Sequence, residues 1–159
     1  MSSAPRREDQ EFGREIAGGI AVKPVLGVDL GEVRTGVALS DDLRVLAHPL
    51  ETIASASPKM VAQRLQEIVA ERQVDCVVVG LPRQMNGALG PAAKNAQRFV
   101  EKLRSLVSCE VVTWDERLST VAAERALRDA GRKTRDTRNI RDQVAAQIIL
   151  QGYLDRLNA

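Results

Sequence analysis

Three acidic residues of this chain stand where a carboxylate is costly unless something binds it. Asp29 interrupts the apolar run at residues 25–30. Glu116 follows an apolar segment at 111–114, and Asp142 opens a long helical pattern on its apolar side. An ionised carboxylate in an apolar setting is strongly disfavoured unless it is paired, hydrogen-bonded or metal-bound. We therefore interpret the three residues as ligands of hard divalent cations, which suit phosphodiester hydrolysis.

Each acidic residue also has an ordinary structural explanation. Asp29 could form the turn before Gly31, and Glu116 could complement the dipole of a following helix. Asp142 could be the third residue after an Asn139 cap. Against that last explanation, the spacing places Asp142 on one helical face with Ala145, Ala146, Ile149 and Tyr153.

The chemistry of phosphodiester cleavage assigns roles to these residues. Two Mg²⁺ or Mn²⁺ ions can activate a water molecule and neutralise phosphate and leaving-group oxygens, and neither cation requires histidine. We predict that Asp29 bridges the ions while Glu116 and Asp142 each hold one side. Arg34 and Arg117 are candidates for contacting phosphate or orienting the carboxylates. Weaker candidates for contacts with a nucleic-acid backbone are Lys94, Arg98, Arg135 and Arg138.

Positive charge is concentrated just before Asp142. Residues 125–141 carry a net charge of +5, whereas the rest of the chain carries −3. A basic segment beside an acidic metal site is what binding and cleavage of a polyanion require. A solvated helix end followed by a loop would explain the same charges.

Composition narrows the possibilities. A chain of 159 residues with 44% hydrophobic and 28% charged residues is typical of one globular domain. His48 is the only histidine, which argues against zinc chemistry and a Ser-His-Asp triad. No apolar run reaches the roughly 20 residues that span a bilayer, and no signal-peptide core is present, so we expect a cytoplasmic protein that contacts no membrane. We also expect residues 1–22 to form a mobile tail and residues 23–159 to form the nuclease domain.

The hydrophobic pattern predicts alternating strands and helices. Strands are expected at 25–30, 35–40, 43–53, 76–79 and 111–114, and the first three should pair antiparallel. Helices are expected after the Ser57-Pro58 cap, at 91–107, at 120–130 and at 140–157, with loops at 80–91 and 132–138. This order predicts an α/β domain of the ribonuclease H-like type: a five-stranded mixed sheet with helices on both faces.

Four motifs resemble those of the YqgF/RuvX-like family, in order and with similar spacing over about residues 25–157. They are VDLG with RTGVALSD (28–31, 34–41), VVGLP with NG (78–82, 86–87), DERLST (115–120), and DQVAA with ILQ (142–146, 149–151). The resemblance implies a ribonuclease H-like nuclease that either resolves Holliday junctions or processes the 5′ end of the 16S ribosomal RNA precursor. It maps the family's acidic positions onto Asp29, Glu116 and Asp142. Junction resolution would imply a homodimer, because two opposed strands must be nicked.

Two alternatives belong to other functional classes. The chain could be a non-catalytic nucleic-acid-binding module with the same fold, although such a module would not need all three acidic residues. The turn at Asp29 to Gly31 also resembles the phosphate-binding turn of actin-like ATPases and sugar kinases, but 159 residues cannot build their two domains. Mg²⁺ binding that vanishes in Asp29→Asn would indicate the enzyme, and ATP hydrolysis would indicate the kinase-like class.

Overall fold

A five-stranded mixed sheet organises the chain. The computed structural model describes residues 22–82, 86–118, 121–132 and 137–159, of which 121–123, 130–132 and 137–139 only in their backbone. The sheet order is β3-β2-β1-β4-β5; β1 pairs antiparallel with β2 and parallel with β4. The β2–β3 pair is antiparallel and the β4–β5 pair is parallel, which confirms the predicted mixed sheet. The strands are β1 (Val25–Asp29), β2 (Thr35–Ser40), β3 (Ala47–Ile53), β4 (Cys76–Leu81) and β5 (Glu110–Asp115).

Four α-helices and one short 3₁₀ helix complete the described elements. The first begins as predicted: the hydroxyl of Ser57 accepts a hydrogen bond from the N–H of Met60 at 3.3 Å, and Pro58 occupies the first turn. None of the helices within the described ranges is long and apolar enough to cross a membrane. The helices are α1 (Pro58–Arg72), α2 (Pro91–Leu106), the 3₁₀ helix (Glu116–Leu118), α3 (Val121–Arg132) and α4 (Thr137–Leu157).

The sheet has a separate apolar core on each face. Leu26 and Val28 of β1 pack with α1 and α2 on one face. Val25 packs with α4 on the other, in a cluster that includes Leu150. Because side chains alternate along a strand, Gly27 and Asp29 face the α4 side with Val25. The end of β1 therefore delivers Asp29 to the face that α4 covers.

Two glycines allow α4 to lie directly on the sheet. A Cβ atom built on Gly27 would lie 2.6 Å from the Cβ of Leu150 and 3.0 Å from the carbonyl oxygen of Ala146. A Cβ built on Gly36 would overlap the carbonyl oxygen of Asp142. Any larger residue at these positions would push the helix off the sheet, because folded interiors leave no room for extra atoms.

Two predicted strand boundaries differ from the observed ones by more than one residue. The third strand begins at Ala47 instead of residue 43, because Asp41 closes a turn there: its carboxylate accepts from the N–H groups of Val45 and Leu46. The fourth strand continues to Leu81, into the predicted loop, because its parallel ladder with β5 extends that far. Long-range pairing thus overrode the local signal of glycine and proline.

The start of the last helix also differs from the prediction. Helix α4 begins at Thr137, three residues earlier than expected, and α3 continues to Arg132, past Gly131. Asn139 is therefore helical, so the explanation of Asp142 as part of an Asn139 capping box is wrong. The predicted tail lies, apart from Val22, outside the described residues, as does the middle of the predicted basic loop at 133–136.

Candidate active site

The sheet register brings Asp29 and Asp142 together. Asp29 is the last residue of β1 and lies opposite Gly36 of β2. Gly36 in turn lies directly beneath the backbone of Asp142, as the overlap of a built Cβ demonstrates. Asp29 and Asp142 are 113 positions apart in the chain. They lie close together because α4 packs directly against β2 at Gly36, the residue opposite Asp29.

Glu116 reaches the same region from β5. It opens the 3₁₀ helix that follows this strand, and β4 separates β5 from β1. A Cβ built on Gly80 of β4 would lie 2.7 Å from Oε1 of Glu116. The missing side chain at Gly80 therefore leaves the space through which Glu116 extends over β4 towards Asp29.

Asp29 and Glu116 line a common cleft of about 310 Å³. Its other walls are Glu124 and Arg128 of α3 and three apolar residues of α4: Ala145, Ile148 and Ile149. Neither Glu124 nor Arg128 was predicted as a residue of the site. Their i,i+4 spacing predicts an ion pair on one helical face, but only the packing of α3 turns that face towards the acidic residues.

The electrostatics of the cleft are unfavourable for two carboxylates. Burial, followed by the charge of Asp142, raises the pKa of Asp29, while Arg128 opposes this shift. Burial, followed by the charges of Asp29 and Asp115, raises the pKa of Glu116 to about 7. Within the described part of the chain, neither carboxylate has a hydrogen-bond or ion-pair partner. Arg128 is the only cation among the described residues that line the cleft, and it is paired with Glu124, so its charge does not balance two further ionised carboxylates.

Asp142 stands apart from the other two because it has a cationic partner. Nε of Arg34 donates to Oδ2 of Asp142 at 3.0 Å. Over the described ranges, no three aspartate, glutamate, histidine or cysteine side chains form a group that could hold a metal ion as it stands. The structure thus brings Asp29 and Glu116 into one cleft and holds the carboxylate of Asp142 beside them, against Arg34.

The remaining predicted residues whose side chains are described lie outside the lining of the cleft. Arg117 donates three side-chain hydrogen bonds to Asp115, the shortest at 2.7 Å. Arg98 lines a different cavity of about 460 Å³, whose lining also includes Leu30. Lys94 lines neither cavity. Arg135 lies outside the described residues, and Arg138 is described only in its backbone, within α4.

The raised pKa of Glu116 predicts how pH acts on the metal-free protein. Between the usual value of 4.5 and about 7, the folded state holds a proton that the unfolded state has lost, so stability falls as pH rises through this window. Glu116→Gln removes this loss of stability, because glutamine does not ionise. Because the side chain is only half-buried, we expect the variant to gain on the order of 1 kcal/mol at pH 8, or roughly 2–4 °C in Tm.

Thermal denaturation in a chelating buffer at pH 8 and pH 5 checks this prediction. At pH 5 the gain should nearly vanish, because the native glutamate is then protonated and uncharged in the fold. Glu110→Gln is the matched control, since Glu110 is exposed at the start of the same strand. A gain in Glu116→Gln that is equal at both pH values would contradict the assigned repulsion.

Comparison with known sequences gives consistent matches over most of the chain. A family model described as "RuvX: Holliday junction resolvase" matches residues 23–156. A relative in Bacillus cytotoxicus, named "Putative pre-16S rRNA nuclease", is 45% identical over 133 residues, which cover 82% of this chain and 97% of the relative. A relative of the same name in Geobacillus kaustophilus is 49% identical over 132 residues, covering 82% and 96%.

Two solved structures of junction resolvases have the same fold. Thermus thermophilus RuvC in complex with a Holliday junction substrate superposes with a TM-score of 0.60 at 15% identity, covering 86% of this chain and 97% of that one. The yeast mitochondrial Holliday junction resolvase gives 0.50 at 14% identity, covering 97% and 87%. At such low identity these matches speak for the fold alone, and they confirm the predicted ribonuclease H-like architecture.

Proposed function

Since this chain belongs to the RuvX family of Holliday junction resolvases, we propose that it is a divalent-metal-dependent endonuclease that hydrolyses phosphodiester bonds. One observation carries the proposal beyond family membership. Asp29 and Glu116 share a cleft in which burial and the charges of neighbouring carboxylates raise both pKa values, and neither has a hydrogen-bonded or ion-paired cation among the described residues. Such a pair is stabilised by a bound cation, and the relatives named as pre-16S rRNA nucleases support nucleic acid as the substrate class.

The chemistry of these side chains fits hard divalent cations. Carboxylate oxygens are the ligands that Mg²⁺ and Mn²⁺ prefer. Asp29 would be the shared ligand because it lies between the other two acidic residues, with Glu116 on one side and Asp142 on the other. Asp142 is not part of a ready-made group, so its carboxylate would have to turn from Arg34 towards Asp29. We propose two ions, Mg²⁺ or Mn²⁺, at this cluster.

The protein's own residues hold and shape this site. When bound, the ions would supply an activated water and neutralise charge on the phosphate and the leaving oxygen. Without ions, Arg34 holds the carboxylate of Asp142 beside the cleft, and it would release that carboxylate when Asp142 turns towards the ions. Ala145, Ile148 and Ile149 form an apolar wall, which lowers the local dielectric and strengthens every charge interaction inside the cleft.

Two substrates fit the same chemistry: a branched DNA junction and the 16S ribosomal RNA precursor. The family description points to the first, and the names of the relatives point to the second. The basic segment at 125–141, with Arg135 and Arg138, would contact phosphates of either one. Arg98, beside the cavity at Leu30, would extend the contact surface around the other side of β1. A homodimer with two-fold symmetry is the proposed assembly if junctions are the substrate.

A cleavage panel tests the proposed function. Purified protein is incubated with a four-way DNA junction, a flap, a linear duplex and a 16S precursor leader, each with Mg²⁺, Mn²⁺ or chelator. We expect metal-dependent cutting of the junction or the precursor, and none by Asp29→Asn prepared identically, which controls for contaminating nuclease. Binding without cutting in every arm would favour the non-catalytic module. Light scattering with and without the junction reports the oligomeric state of the same preparations.

A further inference from the structure

Helix α3 places one cation inside the proposed catalytic cleft. Arg128 lines the cleft with Asp29 and Glu116, and it is the only positively charged residue among the described residues that line it. Its side chain shares the cleft lining with Asp29 and Glu116, so its charge faces the acidic residues instead of lying on an outward face of the helix. Arg128 is therefore an electrostatic component of the cleft.

Glu124 fixes the position of this arginine. Nε and Nη2 of Arg128 both donate to Oε1 of Glu124, at 3.1 Å and 2.9 Å. A guanidinium carries five N–H donors, so this contact occupies two and leaves three for another partner. The Arg128 side chain remains 43% exposed, so these donors are accessible to a ligand that enters the cleft.

The two arginines predicted to lie near the acidic residues each contact a different carboxylate outside the cleft lining. Arg34 is bonded to Asp142, the third proposed ligand. Arg117 donates from Nε and Nη2 to the two carboxylate oxygens of Asp115. An incoming phosphodiester carries a negative charge into a cleft that already contains Asp29, Glu116 and Glu124. The cation at Arg128 is what can offset that repulsion from the α3 side.

We propose that Arg128 binds a non-bridging oxygen of the substrate phosphate and that Glu124 is the positioning residue that holds its guanidinium over the cleft. The inference rests on the proposed nuclease function and adds a substrate-binding pair from α3 to it. A guanidinium suits this role because its planar fork can present two parallel N–H groups to a phosphate. Arg128 donates hydrogen bonds to the phosphate and transfers no proton.

Steady-state cleavage by Arg128→Ala, Arg128→Lys and Glu124→Gln tests the proposal, on the junction and the precursor leader. Losing a charged phosphate contact should lower kcat/KM by about 10- to 100-fold in Arg128→Ala. Arg128→Lys should recover part of this, because a point charge remains but the fork is lost. Glu124→Gln should lose less, roughly threefold to tenfold, because the cation stays while its position loosens. Arg156→Ala is the matched control: Arg156 is an exposed arginine near the end of α4, outside the basic segment at 125–141, and it does not line the cleft.

Two further readouts separate phosphate binding from a structural role. The slope of log affinity against log salt should fall by about one in Arg128→Ala and stay unchanged in Glu124→Gln. Thermal stability should remain near that of the unmodified protein in all three variants, and each variant should still bind Mn²⁺ saturably. If the unmodified protein cuts and Arg128→Ala matches Arg156→Ala, this inference is overturned while the proposed function stands. If the unmodified protein cuts neither substrate, the proposed function fails first and the inference falls with it.

Discussion

Asp29→Asn is expected to abolish metal-dependent cleavage while making the metal-free protein more resistant to heat. Ligands of one metal cluster act as a unit, so we expect a loss of roughly a thousandfold or more from this single change. The neutral amide relieves the repulsion with Glu116 and Asp142, which should raise the Tm in a chelating buffer by a few degrees. Single-turnover cleavage and thermal denaturation of the same preparation measure the two effects.

Glu116→Gln and Asp142→Asn extend this prediction to the other proposed ligands. Each should be nearly as inactive as Asp29→Asn, and the double and triple variants should be little worse. Asp155→Asn is a suitable control, because Asp155 is an exposed carboxylate on the same helix as Asp142. Near-normal turnover in any one of the three variants would remove that residue from the proposed site.

Gly36→Ala should damage both the fold and the activity without altering any polar group. The new methyl group would overlap the carbonyl oxygen of Asp142, so α4 or β2 must shift. Overpacking of this kind costs about 1–3 kcal/mol, which corresponds to roughly 3–10 °C in Tm for a domain of this size. A displacement of Asp142 by about 1 Å is enough to lower the cleavage rate on the order of a hundredfold.

Gly152→Ala provides the comparison for this variant. Gly152 lies near the other end of α4, and a Cβ there would meet the Trp114 ring at 3.1–3.3 Å, a tight contact with a side chain instead of the backbone. Alanine is also the better helix former by up to about 1 kcal/mol, which offsets the crowding. We expect Gly152→Ala to change Tm and rate far less than Gly36→Ala. Equal effects would mean that the close approach at Gly36 does not position Asp142.

Much of the fold could be predicted because its signals are local. The second strand was predicted with its observed bounds, and the Ser57-Pro58 signal identified the start of α1. Asp29 and Glu116 could be predicted as metal ligands because charged residues at the ends of apolar strands are physically unusual. The parallel sheet then explains their proximity, since β1, β4 and β5 end at the same edge.

The features that sequence reasoning missed depend on contacts between distant segments. Arg34 was predicted as a residue that could orient a carboxylate, but its partner Asp142 lies 108 positions away, so no local pattern indicates which carboxylate it contacts. The i,i+4 spacing predicts that Glu124 meets Arg128, but not that α3 turns the pair towards Asp29. The extension of β4 through Gly80 depends on its pairing with β5, whereas glycine and proline nearby indicated a loop.

Isothermal titration calorimetry with Mn²⁺ tests the central claim most directly, because it needs no knowledge of the substrate. At pH 8, where Glu116 is ionised, the unmodified protein should bind Mn²⁺ saturably. Binding should weaken as pH falls below about 7, because protons then compete for that carboxylate. Asp29→Asn should lose the binding and Asp155→Asn should retain it. Saturable binding that is the same in Asp29→Asn, or no binding to the unmodified protein, would contradict a metal site at Asp29, Glu116 and Asp142.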